Sequence, residues 1–356
     1  AFNHTNITGN QNYELEVTQG TTTIVKKFTA VVSPTVVSET IPAGLVDGIN
    51  YNPNDATKAT LVLDAPLKDF VYVAGSFNNW QPTAAYAMKK DASAGSTKFW
   101  LELTGLTAGT NYTYQYWVVD QTPLAGSPSL VKAADPYSTL VLSPYDDGGI
   151  PATSFPNLPA YPSGQEREVT WFKTGQTPYA WSQATLNFVK PAKEKLVVYE
   201  VLVRDFDARR NFQDLIDKID YFKNLKVNAI QLMPVMEFEG NESWGYNTSF
   251  HMALDKFYGT PEKLKELIDL YHQNGIAVIL DVALNHAFGR NSMVRMWMND
   301  PDGDGFGSPT TENPYFNTVA KHSYSVGEDF NHQQSRTRNY VKRVVEHWIK
   351  EFKIDG

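Results

Sequence analysis

Asp281-Val-Ala-Leu-Asn-His286 sets three polar side chains directly behind a short apolar run, Ile276-Ala-Val-Ile-Leu280. Gly275 closes the helix-patterned segment before it, Pro261 to Asn274. A continuous β-branched run feeding an acid and an Asn-His pair reads as a parallel strand buried on both faces, with polar groups at its carboxyl end. In α/β barrels and doubly wound sheets, ligands and catalytic groups collect there. Taken alone, the same residues also suit a helix-to-strand connection in which Asp281 and His286 merely cap the next loop.

Working outward, the pattern from Leu196 alternates strand and helix. Leu196–Val203 and Val227–Met233 are apolar runs. Asn211 is placed to cap a helix carrying Leu215, Ile219 and Phe222 on one face. Thr260 before Pro261 is an N-cap followed by proline at the first helical position, with Leu264, Leu267, Ile268 and Tyr271 turned inward. After Asp281 an excursion, residues 287–332, is too long for an ordinary loop and marks function. A helix over 333–352 follows, with Val341, Val344, Val345, Trp348, Ile349 and Phe352 at helical spacing.

Composition bounds the rest. The 356 residues suggest two or three domains, and 42% hydrophobic with 20% charged residues is ordinary for a globular protein. A net charge of −8 argues against a nucleic-acid partner, whose footprint is basic. No apolar stretch approaches the ~18 residues of a membrane span. The absence of cysteine excludes disulfides, thiolate metal sites and a cysteine nucleophile. The chain starts at Ala1 without a signal segment, so it carries no address of its own.

Five segments in order resemble the alpha-amylase superfamily. Asp281-Val-Ala-Leu-Asn-His286 is similar to the family block D-V-V-x-N-H, Tyr199-Glu-Val-Leu-Val-Arg-Asp-Phe206 to its first barrel strand, and Val227-Asn-Ala-Ile-Gln-Leu-Met-Pro-Val235 to its second. Trp244-Gly-Tyr-Asn247 with Tyr258-Gly-Thr-Pro-Glu262 is similar to the loop and helix start after it, and Phe352-Lys-Ile-Asp-Gly356 to the opening of the fourth strand. The family's nucleophile and general acid lie further along than Gly356, so the resemblance implies the N-terminal piece of a longer enzyme, inactive alone. A whole (β/α)8 barrel takes ~250 residues; just over three strand–helix units fit after Leu196.

The expected architecture is therefore multidomain: an N-terminal all-β, Ig-like sandwich followed by the first half of a (β/α)8 TIM barrel. Residues 1–33 read as the end of a preceding Ig-like domain or as extra strands, 34–57 as a linker, and 58–143 as the sandwich. Residues 144–195 read as an irregular connection with room for a strand or two at its end, and 196–356 as the barrel portion, with 287–332 as a small inserted domain. Gly75-Ser-Phe-Asn-Asn-Trp80 and Ala134-Asp-Pro-Tyr137 resemble the glucan-associated module of branching and debranching enzymes. Trp80 either stacks on a glucan or packs on the sandwich edge.

By the resemblance, Tyr246 stacks on the sugar at the cleavage point and His286 donates to one of its hydroxyls. Asp281 supports the site by orienting an arginine. The activity implied is retaining hydrolysis of α-glucosidic bonds in starch, glycogen or related glucans; a branching or debranching enzyme and a non-catalytic glucan-binding protein are the alternatives. A periplasmic, cell-surface or secreted location is implied with it. Calcium has two candidate positions. Asn285 with Asp329 matches the family's site, and Asp300, Asp302 and Asp304 have the D-x-D-x-D-G spacing of a calcium loop. That loop has Thr311 where the template has its bidentate Glu, with Glu312 one place late.

Overall fold

The computed structural model describes residues 4–356; the first three residues of the 1–33 stretch lie outside the described residues. An antiparallel hairpin comes first, β1 (Gln11–Gln19) on β2 (Thr22–Ala30), in register from Gln11↔Ala30 to Gln19↔Thr22. Its Leu15, Val17, Ile24 and Phe28 stay exposed, as expected of a two-stranded ribbon that cannot bury a core.

Two antiparallel sheets follow. One has the order β3-β4-β7-β6, from β3 (Gly48–Tyr51), β4 (Ala59–Asp64), β6 (Lys89–Lys90) and β7 (Lys98–Leu103). The other runs β10-β11-β8-β5 with β9 also on β8, from β5 (Phe70–Gly75), β8 (Tyr112–Val119), β9 (Leu130–Ala133), β10 (Val141–Leu142) and β11 (Val169–Phe172). Leu61 and Leu63, Leu101 and Leu103, Val71 and Val73, Tyr114 and Tyr116 alternate into one buried cluster shared by both sheets. That is the two-residue period of a strand with one face on a core. Two strands fall where sequence gave little sign of them. β3 lies within 34–57, because Gly48-Ile-Asn-Tyr51 is short and set among Pro, Gly and Asn; β11 lies within 144–195 and inserts between β10 and β8.

The C-terminal part is built on three parallel strands in the order β12 (Val198–Val201), β13 (Ala229–Leu232) and β16 (Ala277–Leu280). The register is Val198↔Ala229↔Ala277 through Val201↔Leu232↔Leu280. Residues 355 and 356 extend it, Asp355 N–H donating to the Val278 carbonyl at 2.9 Å and Leu280 N–H to the Gly356 carbonyl at 3.0 Å. Val201, Ile230, Leu232, Val278 and Leu280 are buried, on the side of α5 (Pro261–Gln273). Thr260 caps α5 by accepting from Lys263 N–H at 3.1 Å, and Leu264, Leu267, Ile268 and Tyr271 are wholly buried. Each such side chain contributes roughly 1.5–3 kcal/mol of burial.

Helical segments α1 (Gln183–Leu186) and α2 (Val203–Phe206) are single turns. The helix expected after Asn211 is broken at Lys218 into α3 (Phe212–Asp217) and α4 (Ile219–Leu225). Between β13 and α5 an antiparallel pair is inserted, β14 (Met236–Phe238) with β15 (Thr248–Leu254). The excursion holds α6 (Ser292–Arg295) and two minimal ladders, β17 (His286–Ala287) with β20 (Glu328–Asp329) and β18 (Met298–Asn299) with β19 (Ser308–Pro309). Helix α7 (Ser335–Phe352) buries Thr337, Tyr340, Val344, Trp348 and Phe352, whereas Val345 and Ile349 flank that stripe and are exposed.

The two parts meet at Ala134-Asp-Pro-Tyr137. Asp135 is buried and accepts from the hydroxyls of Tyr114 at 2.9 Å and Tyr116 at 2.7 Å, and from Tyr137 N–H at 2.8 Å. Tyr137 packs edge-on to Tyr340 of α7, centroids 5.3 Å apart, beneath the Arg343 guanidinium at 4.3 Å.

Candidate active site

Strand parity decides what the carboxyl end presents. Glu200, Gln231 and Ile279 share one register level, on the face away from α5. Asp281, two residues beyond Ile279, stays on that face, and its N–H still pairs with the Leu232 carbonyl at 2.8 Å. The sheet thus delivers Asp281 to the open side of its carboxyl edge.

Tyr246 arrives on the loop between β14 and β15. Gly245, at φ +92°, sits so close to Pro234 that an added Cβ would lie 2.3 Å from its carbonyl oxygen. Asn247 Nδ2 donates to the Glu239 carbonyl at 2.6 Å and Thr248 Oγ1 to the Gly245 carbonyl at 3.0 Å, pinning the loop. The Tyr246 hydroxyl then donates to Asp281 Oδ2 at 2.5 Å. Partial burial, with the Asp281 carboxylate beside it, pushes the Tyr246 phenol up to about 12, so it stays a neutral donor.

His286 lies in β17, buried, and its Nε2–H donates to the Tyr246 carbonyl at 2.5 Å. A carbonyl only accepts, so Nε2 carries a hydrogen; Nδ1 is buried without a hydrogen-bond partner. Behind it, wholly buried His251 places Nε2 at 3.2 Å from the carbonyls of both Ala283 and His286. Burial pushes the His251 imidazole down to about 4, so it is neutral and structural.

Tyr246, Asp281 and His286 therefore converge. Trp80 does not join them. It is half-buried on the N-terminal sheets, packed on the cluster of Phe70, Tyr72 and Trp117, and lines a separate cavity of about 450 Å³ with Tyr13 and Phe28. At the first calcium position, the Asp329 carboxylate is already served by N–H donors: Asn317 Nδ2 at 2.7 Å, Lys321 N–H at 3.2 Å and His322 Nε2 at 3.1 Å. His322 Nδ1 also lies 2.9 Å from the Ser323 carbonyl, and these contacts hold its pKa above the ordinary histidine value. That donor set does not fit a cation at Asn285 and Asp329. At the second position, Asp300, Asp302 and Asp304 do come together.

Sequence reading missed the groups that hold the loop. Glu239 Oε1 accepts from Arg290 N–H at 2.9 Å and Ser249 Oγ at 3.2 Å, and the Arg290 guanidinium pairs with Asp146 and covers the Tyr145 ring at 4.4 Å. It also missed Lys256, which is 1% exposed and paired with Glu237 and with Asp147 at 3.4 Å. Adjacent Asp255-Lys256 inside an apolar run was the available signal. Trp244, beside Tyr246, projects 63% exposed into solvent.

Residues 205–300 match the alpha-amylase family, described as the catalytic domain of alpha amylase. The malto-oligosyltrehalose trehalohydrolase of Saccharolobus solfataricus is 34% identical over 172 residues, 48% of this chain and 28% of that protein. The 1,4-alpha-glucan branching enzyme of Corynebacterium diphtheriae is 26% identical over 294 residues, 82% of this chain and 35% of its own length. This chain thus spans about a third or less of these relatives. Among solved structures, the pullulanase of Group B Streptococcus superposes with a TM-score of 0.62 at 21% identity, over 88% of this chain and 42% of that one. The catalytic-domain match spans Tyr246, Asp281 and His286, so this segment of the chain is similar to the alpha-amylase catalytic domain.

Proposed function

We propose that the chain is the N-terminal portion of a retaining glycoside hydrolase acting on α-glucosidic bonds of starch, glycogen or related α-glucans. In this reading the two antiparallel sheets form a glucan-associated β-sandwich, and the parallel sheet is the first part of a (β/α)8 barrel. The observation that carries it is the convergence of Tyr246, Asp281 and His286 at the carboxyl edge of the parallel strands. Tyr246 offers a flat ring to a sugar face, locked in place by Asp281. The Nε2–H of His286 is committed to the Tyr246 carbonyl, which fixes the ring beside the Tyr246 backbone.

Retaining cleavage uses a nucleophile and an acid about 5–5.5 Å apart. Asp281 is reserved for positioning, since Tyr246 occupies its Oδ2; the catalytic pair would come from residues following Gly356, and the 356 residues alone would not hydrolyse glucans. The names of the relatives, a trehalohydrolase and a branching enzyme, support the substrate class, as does the Group B Streptococcus pullulanase solved with maltotetraose. No helix among the described residues is long and apolar enough to cross a membrane. Polysaccharide as substrate favours a setting outside the cytoplasm.

The test is an assay of the full native polypeptide on amylose, glycogen and pullulan, scoring both reducing-end release and chain transfer. Activity on one of them that falls at least ~10-fold in Tyr246→Ala supports the proposal. Inertness on all three, with unaltered glucan binding, would leave the non-catalytic binding protein as the function.

A further inference from the structure

We propose that the loop from Asp300 to Gly305 binds a calcium ion, at a site separate from the sugar pocket and from the Asn285–Asp329 position. One carboxylate oxygen from each of Asp300, Asp302 and Asp304 lies within 4.8 Å of the other two. Oxygens held ~2.4 Å from one calcium ion can stand up to ~4.8 Å apart, so a single ion can reach all three. Among the described residues, none of these carboxylates has a Lys, Arg or His partner.

The independent sign of a ligand is Asp300. It is 8% exposed, and its Oδ1 is shut off from solvent with no hydrogen-bond donor. A carboxylate oxygen in that state has lost its hydration and gained no protein donor, and a hard cation would supply the missing partner. Its other oxygen accepts from Gly305 N–H at 3.0 Å, which turns the carboxylate into the loop.

The backbone is prepared for the ion. Gly303 at φ +71° and Gly305 at φ +82° fold the segment back on itself. The β18–β19 pair closes its base, and Asp300 N–H donates to the Gly126 carbonyl at 2.6 Å. The nearby guanidinium groups do not serve as the counter-charge: Arg295 donates to the Gly305 carbonyl at 3.3 Å and Arg167 to that of Asp304, both backbone oxygens. Thr311 stands where a twelve-residue calcium loop has its bidentate Glu, so water completes the coordination and affinity falls in the weak, 10⁻⁴–10⁻³ M class. Since the loop lies against Gly126 and Arg167, the ion would brace the excursion onto the N-terminal sheets.

The experiment is calorimetric titration of the EDTA-stripped full chain with calcium chloride, beside Asp302→Asn/Asp304→Asn and Asp329→Asn. Both residues of the double variant are exposed, so its far-UV spectrum in EDTA should equal wild type. The expected result is one calcium bound by wild type and by Asp329→Asn, and none by the double variant. If the double variant misfolds, Asp302→Asn alone should weaken binding at least ~10-fold. No binding by wild type up to roughly 5 mM calcium, above the weak class, overturns the proposal. So does binding that the loop variants leave unchanged, or that only Asp329→Asn abolishes.

Discussion

Replacing Lys256 by Met should destabilise the protein by about 3–5 kcal/mol at neutral pH, with a penalty that grows as pH rises. Lys256 is the one cation among three buried carboxylates: Glu237 and Asp147 pair with it, and Asp255 precedes it in the chain. Burial raises the pKa of all three acids, Asp255 to about 7, and Lys256 offsets this only in part. The sign follows. An acid whose folded pKa is raised keeps its proton while the unfolded chain has released it, so its contribution is present below the ordinary carboxylate range and is lost as pH rises through the folded value. Without Lys256 the acids rise further, and each one still protonated adds ~1.4 kcal/mol of penalty per pH unit. The wild type already carries this slope up to its own folded pKa values, so the extra pH-dependent penalty of Lys256→Met accrues above them, from about pH 7 for Asp255. Urea unfolding of Lys256→Met against wild type at about pH 6 and about pH 9 measures it. A penalty under ~1 kcal/mol at the higher pH, or one equal at both, refutes the reasoning. Adding Glu237→Gln should restore part of the loss, as expected for coupled residues.

Tyr246→Phe keeps the ring but leaves Asp281 Oδ2 without its donor; on the proposed function, kcat/KM of the full polypeptide should drop ~10-fold or more, less than in Tyr246→Ala. Asp135→Ala strands the hydroxyls of Tyr114 and Tyr116 in the core and should cost ~2–4 kcal/mol in denaturant unfolding, with near-ultraviolet circular dichroism reporting the loosened tyrosines. Thr260→Ala removes the cap of α5 and should cost ~1 kcal/mol, whereas Thr260→Ser should cost little; comparable losses from the two would refute the capping role.

What the sequence disclosed follows from how local each signal is. Thr260-Pro261 and the four-residue apolar row of α5 act within a few residues, and the structure has them where pattern puts them. The β-branched run before Asp281 is likewise self-contained. Tyr246 and His286 were legible through motif, but the Nε2–H to Tyr246 link depends on 40 residues of intervening chain. Strand β11 was hidden because its partners lie outside any local window, in β10 (Leu142↔Val169) and β8 (Thr170↔Tyr114). Helix α7 misled in a different way: Val345 and Ile349 keep helical spacing, yet a stripe only about 100° wide is buried, and they stand outside it. Lys256 was least legible, since a charged residue in an apolar run betrays its partners only once Asp147 is folded against it.

Parallel sheets are normally covered on both faces. Here one face of β12, β13 and β16 packs toward α5, while Val198 and Glu200 on the other are exposed and Gln231 and Ile279 half-buried. Asp281 projects from that second face, and Tyr246 reaches over to it. Any element that completed the cover would draw Val198 out of water and at the same time wall in Tyr246 and Asp281. In a lower dielectric the Tyr246–Asp281 hydrogen bond would strengthen, and its geometry would become more strictly defined. Stability of the sheet and definition of the candidate site are thereby tied to the same uncovered face.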